Sequence, residues 1–283
     1  MSTTTPLFES DMILDIFVED THFRGFSVGY ELGEFRYDEM VDLIFSALAD
    51  FALTEKEKAT MNPFNSNRKL KKAAKIVYAT DKYKSRGEYG EILLHLIMRD
   101  YFNSIPAISK LYYKDGANET VKGFDAVHIV PIEGELELWL GEVKFYNDIY
   151  RAIRDVVKEL QDHTDKDYLR NEFLFISNKI DDTWEYADKL KKLIDERTSL
   201  DKIFTRIKIP VLLTYDSDVV KSYRVVCDDY KKALIEELNK HHTNFRSKNL
   251  PTNVDIILIL IPLEHKEILV DKLHDKLRIW QQI

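Results

Sequence analysis

The sequence predicts an α/β fold, a mixed sheet flanked by helices and preceded by a shorter N-terminal α/β extension. Apolar runs of strand type alternate with segments whose apolar residues recur at helical spacing. Strand, long helix and strand follow one another, which makes the connections parallel crossovers and covers the sheet with helices. With only 9 Gly and 7 Pro in 283 residues, long low-complexity stretches are excluded.

Taken in order, MILDIFV and FSVGYEL read as strands, and Tyr37–Phe51 reads as a helix with Met40, Val41, Ile44, Phe45 and Leu48 on its apolar face. The turn-rich MNPFNS at 61–66 marks a boundary between an N-terminal α/β segment, 1–61, and a domain spanning 62–283. A helix over Gly87–Phe102 follows, with Ile92, Leu93, Leu96, Ile97 and Tyr101 in a stripe. Ser109–Lys114, Phe124–Val130 and Glu135–Phe145 are expected as strands, and Asp148–His163 as a helix burying Ile149, Ile153, Val156, Val157 and Leu160. EFLFIS at 172–177 reads as a short buried strand. The remainder alternates: helix Trp184–Ile194, strand Pro210–Tyr215, helix Tyr223–His241, strand Val254–Ile261, helix Glu264–Trp280.

Hydrophobic residues make up 45% and charged residues 32%, an ordinary balance for a soluble protein. The single cysteine, Cys227, forbids an internal disulfide and points to a reducing, cytoplasmic compartment. The N-terminus has neither the basic nor the apolar region of a signal peptide, and the longest apolar run, Ile256–Pro262, is too short to span a bilayer. The formal net charge is −8, so a nucleic-acid role needs a local basic patch or a partner that supplies the grip. Arg68–Arg86 is such a patch, with eight Lys or Arg against the single acid Asp81, although a solvated helix face has the same composition.

The chemistry concentrates in FDAVHIVPIEGELELWLGEVKF, residues 124–145. The break at Glu133–Gly134 separates two alternating runs, a hairpin signal. With a two-residue turn, Ile132 faces Glu135 and Asp125 falls opposite Glu142. Glu142 and Lys144 are two apart and share a face, at the end of a stripe of Leu136, Leu138 and Leu140. Two carboxylates about 5 Å apart repel each other. A hard cation such as Mg²⁺ between them removes the repulsion, and an adjacent ammonium can orient water and offset charge on a scissile phosphate.

Asp before an apolar strand, then Glu-x-Lys seventeen residues later on the next, resembles the PD-(D/E)XK nuclease core, with Phe124 where the motif's proline would stand. The order helix, three strands, helix, strand extends the likeness over about 87–178. The resemblance implies an acidic ligand near the start of the first helix, for which RGEYGEILLH offers Glu88 and Glu91. It also implies metal ligation by Asp125, Glu142, Glu91 or Glu88 and the Val143 carbonyl, with Mg²⁺ or Mn²⁺ as cofactor, DNA as substrate and Lys144 positioning or activating water. RGEYGEILL, GFDAVH and LGEVKFY together are similar to the HamA/AbpA-like nuclease subunits of antiphage defence systems of the Hachiman type. That likeness implies a superfamily-2 helicase as partner, and the basic Arg68–Arg86 segment, with Lys71, Lys72 and Lys75, is expected from its charge to contact DNA or that helicase.

Other chemistries find less support. His95 reads as a satisfied core or boundary residue, His128 points away from Asp125, and His163 reads as a partner of its own helix C-terminus. His241–His242 has no matching ligand cluster, and neither a GxxxxGK[ST] loop nor a GxSxG elbow occurs. Two other classes would use the same residues. One is a nuclease-fold module without catalysis that docks a helicase or binds DNA. The other is a structural partner protein in which Asp125 and Glu142 lie on opposite sheet faces.

Overall fold

A computed structural model describes residues 10–77, 87–109 and 123–282. The chain opens with β1 (Asp15–Asp20), β2 (Phe23–Ser27) and the short pair β3 (Tyr30–Glu31) and β4 (Glu34–Phe35). Helices α1 (Tyr37–Ser46), α2 (Leu48–Ala52), α3 (Glu55–Ala59), α4 (Ser66–Ile76) and α5 (Glu88–Phe102) follow. Next come β5 (Ile105–Ser109), β6 (Ala126–Ile132) and β7 (Glu135–Phe145). Helices α6 (Ile149–His163), α7 (Lys166–Lys179), α8 (Ala187–Leu193) and α9 (Leu200–Phe204) then lead to β8 (Ile207–Asp216). The last part holds α10 (Asp218–Ser222), α11 (Asp228–Arg246), β9 (Asp255–Leu263) and α12 (Lys266–Gln282). Among the described residues, no helix is long and apolar enough to cross a membrane.

Seven strands form one mixed sheet in the order β1-β2-β9-β8-β7-β6-β5, the α/β architecture that the patterning predicts. The four central strands β2, β9, β8 and β7 run parallel, and β1, β6 and β5 add antiparallel pairs at the two sides. Parallel strands covered on both faces need apolar side chains on both. β9 (DIILILIPL) supplies them, and all of it beyond Asp255 is buried. The residues before 62 contribute to the same sheet, because β2 pairs with β9.

The β6–β7 hairpin fixes the register of the site. Glu133 and Gly134 both take positive φ, 50° and 87°, the conformation of the two-residue turn that matches strand twist. Ile132 therefore pairs with Glu135 and the ladder runs to Ala126 and Gly141, as the alternation predicts. On one face of β7, α5 packs closely. A Cβ on Gly90 would stand 2.9 Å from side-chain atoms of both Val143 and Phe145, so only glycine lets the helix approach this far. On the other face lies α6, whose N-cap Asp148 accepts the Tyr150 and Arg151 amides.

Two expectations are corrected. EFLFIS is not a strand but the middle of α7. Leu169, Glu172, Phe173 and Ile176 are buried at helical spacing, while Leu174 and Phe175 are 60% and 54% exposed, and Asp165 caps the helix start. The strand next to β7 is instead β8, reached after four helices, so the order helix, three strands, helix, strand closes at Ile207–Asp216 rather than by residue 178. Among the described residues a strand runs over Ile105–Ser109; of the strand expected at Ser109–Lys114, residues 110–114 fall outside the described residues. Pro106, which argues against a strand, is tolerated because β5 is the sheet's edge.

A buried polar chain ties the α2 region to the sheet on the α5 side. Asp50 Oδ2 lies 2.8 Å from His95 Nε2, His95 Nδ1 lies 3.1 Å from His128 Nε2, and His128 Nδ1 lies 2.8 Å from Ser104 Oγ. Arg99 and Lys58 also donate to Asp50. Burial opposes the Asp50 charge, but His95 and Lys58 hold its carboxyl well below the usual range. The two histidines are core residues satisfied by partners, as expected for His95, and His128 faces away from the Glu142 side.

The assignment of α7 separates two neighbouring phenylalanines that a strand would place on one face. Phe173→Ala is expected to cost about 3–5 kcal/mol in urea unfolding, and Phe175→Ala less than about 1 kcal/mol. Equal losses at the two positions would contradict the helix.

Candidate active site at the end of the β6–β7 ladder

β7 runs beyond the start of β6. The ladder ends at Ala126 and Gly141, and the chain then departs from regular pairing: the Asp125 amide donates to the Gly141 carbonyl at 2.8 Å. The Asp125 side chain takes over the next ladder position, where its Oδ2 accepts the Val143 amide at 2.8 Å. Strand pairing stops one residue short of the expected Asp125–Glu142 pair, yet the two carboxyls remain neighbours, and the Asp125 charge acts on Glu142. In an extended strand the N–H and C=O of one residue point to the same edge. The Val143 carbonyl therefore also faces the edge that β6 leaves uncovered beside Asp125.

Glu142 and Lys144 share the α6 face of β7, as their spacing requires. Glu142 is 1% exposed, and Asp125 and Lys144 are 8% exposed. Burial first, and then Asp125, push the Glu142 carboxyl up to about 7 against the pull of His163. Burial works against the Lys144 ammonium, but Glu159, Asp125 and Glu142 hold it above its usual value. Lys144 is thus a fixed cation, suited to orienting water or steadying an anion rather than to accepting a proton.

Two further residues complete this surface, both from α6: Glu159, which the sequence does not single out, and His163, to which it gives another role. Glu159 accepts a hydrogen bond from Lys144 Nζ, and His163 Nδ1 meets Glu142 Oε1 at 2.5 Å. The assignment of His163 to its helix C-terminus is corrected: the imidazole crosses to β7. Burial opposes its charge, but Glu142, Glu159 and Asp125 raise its pKa. Glu142 and His163 titrate as a unit, in which a carboxylate at one favours an imidazolium at the other. The signal that could have found them is their spacing of four on the first helix after the motif strand, which puts both on one helical face.

Glu88 and Glu91 occupy the first turn of α5, Glu88 half-buried and Glu91 buried. Their helix covers the Val143 and Phe145 face, opposite Glu142, so reaching the pair means passing around the uncovered edge at Asp125. Among the described residues, no group of three or more His, Cys, Asp or Glu side chains is arranged to hold an ion. The donor set at this edge is the two carboxylates of Asp125 and Glu142 and the Val143 carbonyl. That set fits Mg²⁺ or Mn²⁺, which bind through one or two carboxylates and complete their shell with water or phosphate oxygens. Burial, the larger cause, and the neighbouring Asp125 charge both raise the Glu142 carboxyl, and a cation between the two carboxyls would offset both.

This geometry has consequences for stability. A folded-state pKa above the unfolded one means that the native protein holds the extra proton, so the Glu142 contribution falls as pH rises from about 4 to about 7. Glu142→Gln is expected to flatten that slope in urea unfolding without metal. A hundredfold excess of Mn²⁺ over its dissociation constant should raise the wild-type melting temperature by about 5–10 °C and leave Glu142→Gln nearly unmoved. Equal shifts in both proteins would place the cation elsewhere.

Comparison with curated protein sequences finds no match. A family model described as HamA matches residues 6–277, nearly the whole chain. It covers the hairpin, both flanking helices and the C-terminal strands alike, and the chain therefore belongs to the HamA family of the Hachiman antiphage defence system.

Proposed function

We propose that the chain is a metal-dependent nuclease of PD-(D/E)XK type that hydrolyses DNA phosphodiesters as the effector of its defence system. The observation that carries this reading is the buried Asp125–Glu142 pair at the open edge of β7, with the Lys144 ammonium on the same face as Glu142. Asp125, Glu142 and the Val143 carbonyl would hold Mg²⁺ or Mn²⁺, with Glu91 or Glu88 as the further ligand from α5. When bound, the cation supplies Lewis acidity toward a phosphate oxygen. Lys144, kept protonated by three carboxylates, orients the attacking water and offsets charge on the scissile phosphate. The Asp125–Val143 hydrogen bond locks one carboxylate to the strand that carries the other two groups, so the three move as one body.

Incubation of supercoiled and linear DNA with the full chain, alone and with any copurifying helicase, tests this reading. Cleavage that requires Mg²⁺ or Mn²⁺ and falls at least 100-fold in Glu142→Ala and Lys144→Ala is expected. Cleavage indifferent to both substitutions would sink the assignment, and no cleavage together with no metal binding would favour a docking module without catalysis.

The partner belongs to the same proposal: a superfamily-2 helicase that engages DNA and restrains or releases the nuclease, in the cytoplasm. The net charge of −8 suits a chain whose grip on DNA comes largely from elsewhere. Helix α4 offers a basic surface among the described residues. Its five cations face no acid within the helix, Arg68, Lys72 and Lys75 are exposed, and its Ala73–Ala74 side is buried. Lys72 pairs with Glu57, and Lys71 reaches the Gln282 carbonyl at 3.4 Å. The rest of the basic segment, 78–86, lies outside the described residues. Charge reversal at Lys71, Lys72 and Lys75 should weaken binding of DNA or helicase about tenfold and reduce the salt dependence of DNA binding. Unchanged binding to both would remove α4 from the interface.

A further inference from the structure

We infer that His163 is a positioning residue for Glu142, fixing the carboxylate in the orientation that receives the cation; this rests on the metal-site reading above. The imidazole is held as firmly as the group that it contacts. Its ring stacks on Tyr168, with centroids 4.4 Å apart and planes 13° apart. Its other neighbour is Phe124, edge-on at 5.3 Å. Phe124 immediately precedes Asp125, so one aromatic cluster joins α6, α7 and the start of β6, and the ring within it touches the ligand strand β7. The His163 side chain is 15% exposed and that of Glu142 1%. Water is thus largely excluded from the pair, and a protein donor must take its place.

The contact is specific in its atoms. A carboxylate oxygen facing Nδ1 requires a hydrogen on that nitrogen, which the imidazolium and the Nδ1–H form of the neutral ring both carry. Oε1 is thereby engaged, and among the described residues no other hydrogen bond is made to Oε2. With one oxygen anchored, the carboxylate cannot rotate freely, and the second oxygen is the one left to ligate. Outer partners of this kind set ligand orientation and typically change metal affinity 10–100-fold when removed. Glu159 stands one helical turn earlier on α6 and holds Lys144. The same helix face therefore addresses both functional groups of β7, which a purely structural His–Glu contact would not require.

Mn²⁺ binding to the full-length protein, followed by electron paramagnetic resonance of the free ion and by calorimetry, separates this role from packing. His163→Ala and His163→Phe should each weaken Mn²⁺ binding about tenfold or more, although phenylalanine keeps the stack on Tyr168. His163→Asn, which returns an N–H donor near the Nδ1 position, should recover most of the affinity. In DNA cleavage the loss should fall on kcat, with KM changed less than about twofold. Wild-type affinity in His163→Phe, or tighter binding in either variant, would overturn the positioning role while leaving the metal site standing. A wild-type protein whose Mn²⁺ binding is absent, or is unaffected by Glu142→Gln, would overturn the metal-site reading and this inference with it.

Discussion

Two like charges buried side by side are the constraint around which this protein is arranged. Asp125 and Glu142 stand at the point where β7 outruns β6, and neither can reach bulk water easily. Such a pair is unfavourable unless charge, hydrogen bonds or a cation offset it. The Val143 amide serves Asp125, and His163 serves Glu142. Lys144 adds a positive charge on the Glu142 face, and Glu159 holds that charge in turn. Each of these groups thus has a protein partner of complementary hydrogen-bonding or charge character.

That arrangement depends on β7 being rigid. Its two edges pair with β6 and β8, and its two faces are covered by α5 and α6. The close approach of α5 at Gly90 covers the Val143–Phe145 face, and the other face presents Glu142 and Lys144 to α6. On the α5 side, the chain from Asp50 through His95 and His128 to Ser104 fastens the helix to β6 and to the residues before β5. Burial keeps the His128 imidazole well below its ordinary pKa, so it persists as a neutral link. The polar network on one face and the Glu142–Lys144 groups on the other are separated by the thickness of a single sheet.

Membership of the HamA family gives the site its biological setting. Under the nuclease reading proposed above, the effector has to be harmless until called upon, and the acidic net charge and internally paired site groups both fit a chain that acts with a partner. Helix α4 stands apart from this economy, because several of its cations point to solvent.

The sequence by itself determined the site's register. A two-residue turn at Glu133–Gly134 and strict alternation around it place Glu142 and Lys144 on one face and Asp125 beside them, since a period of two leaves no freedom once the turn is set. It also determined the long helices α5 and α6, whose apolar stripes are unambiguous. It did not determine α7. Six residues of EFLFIS satisfy a strand and a helix equally, and only packing showed that Glu172, Phe173 and Ile176 go inward while Leu174 and Phe175 do not. Nor could it place His163 on Glu142, twenty-one residues away. That contact depends on the angle at which α6 crosses β7, and crossing angles are set by the side chains of both partners together rather than by either segment alone.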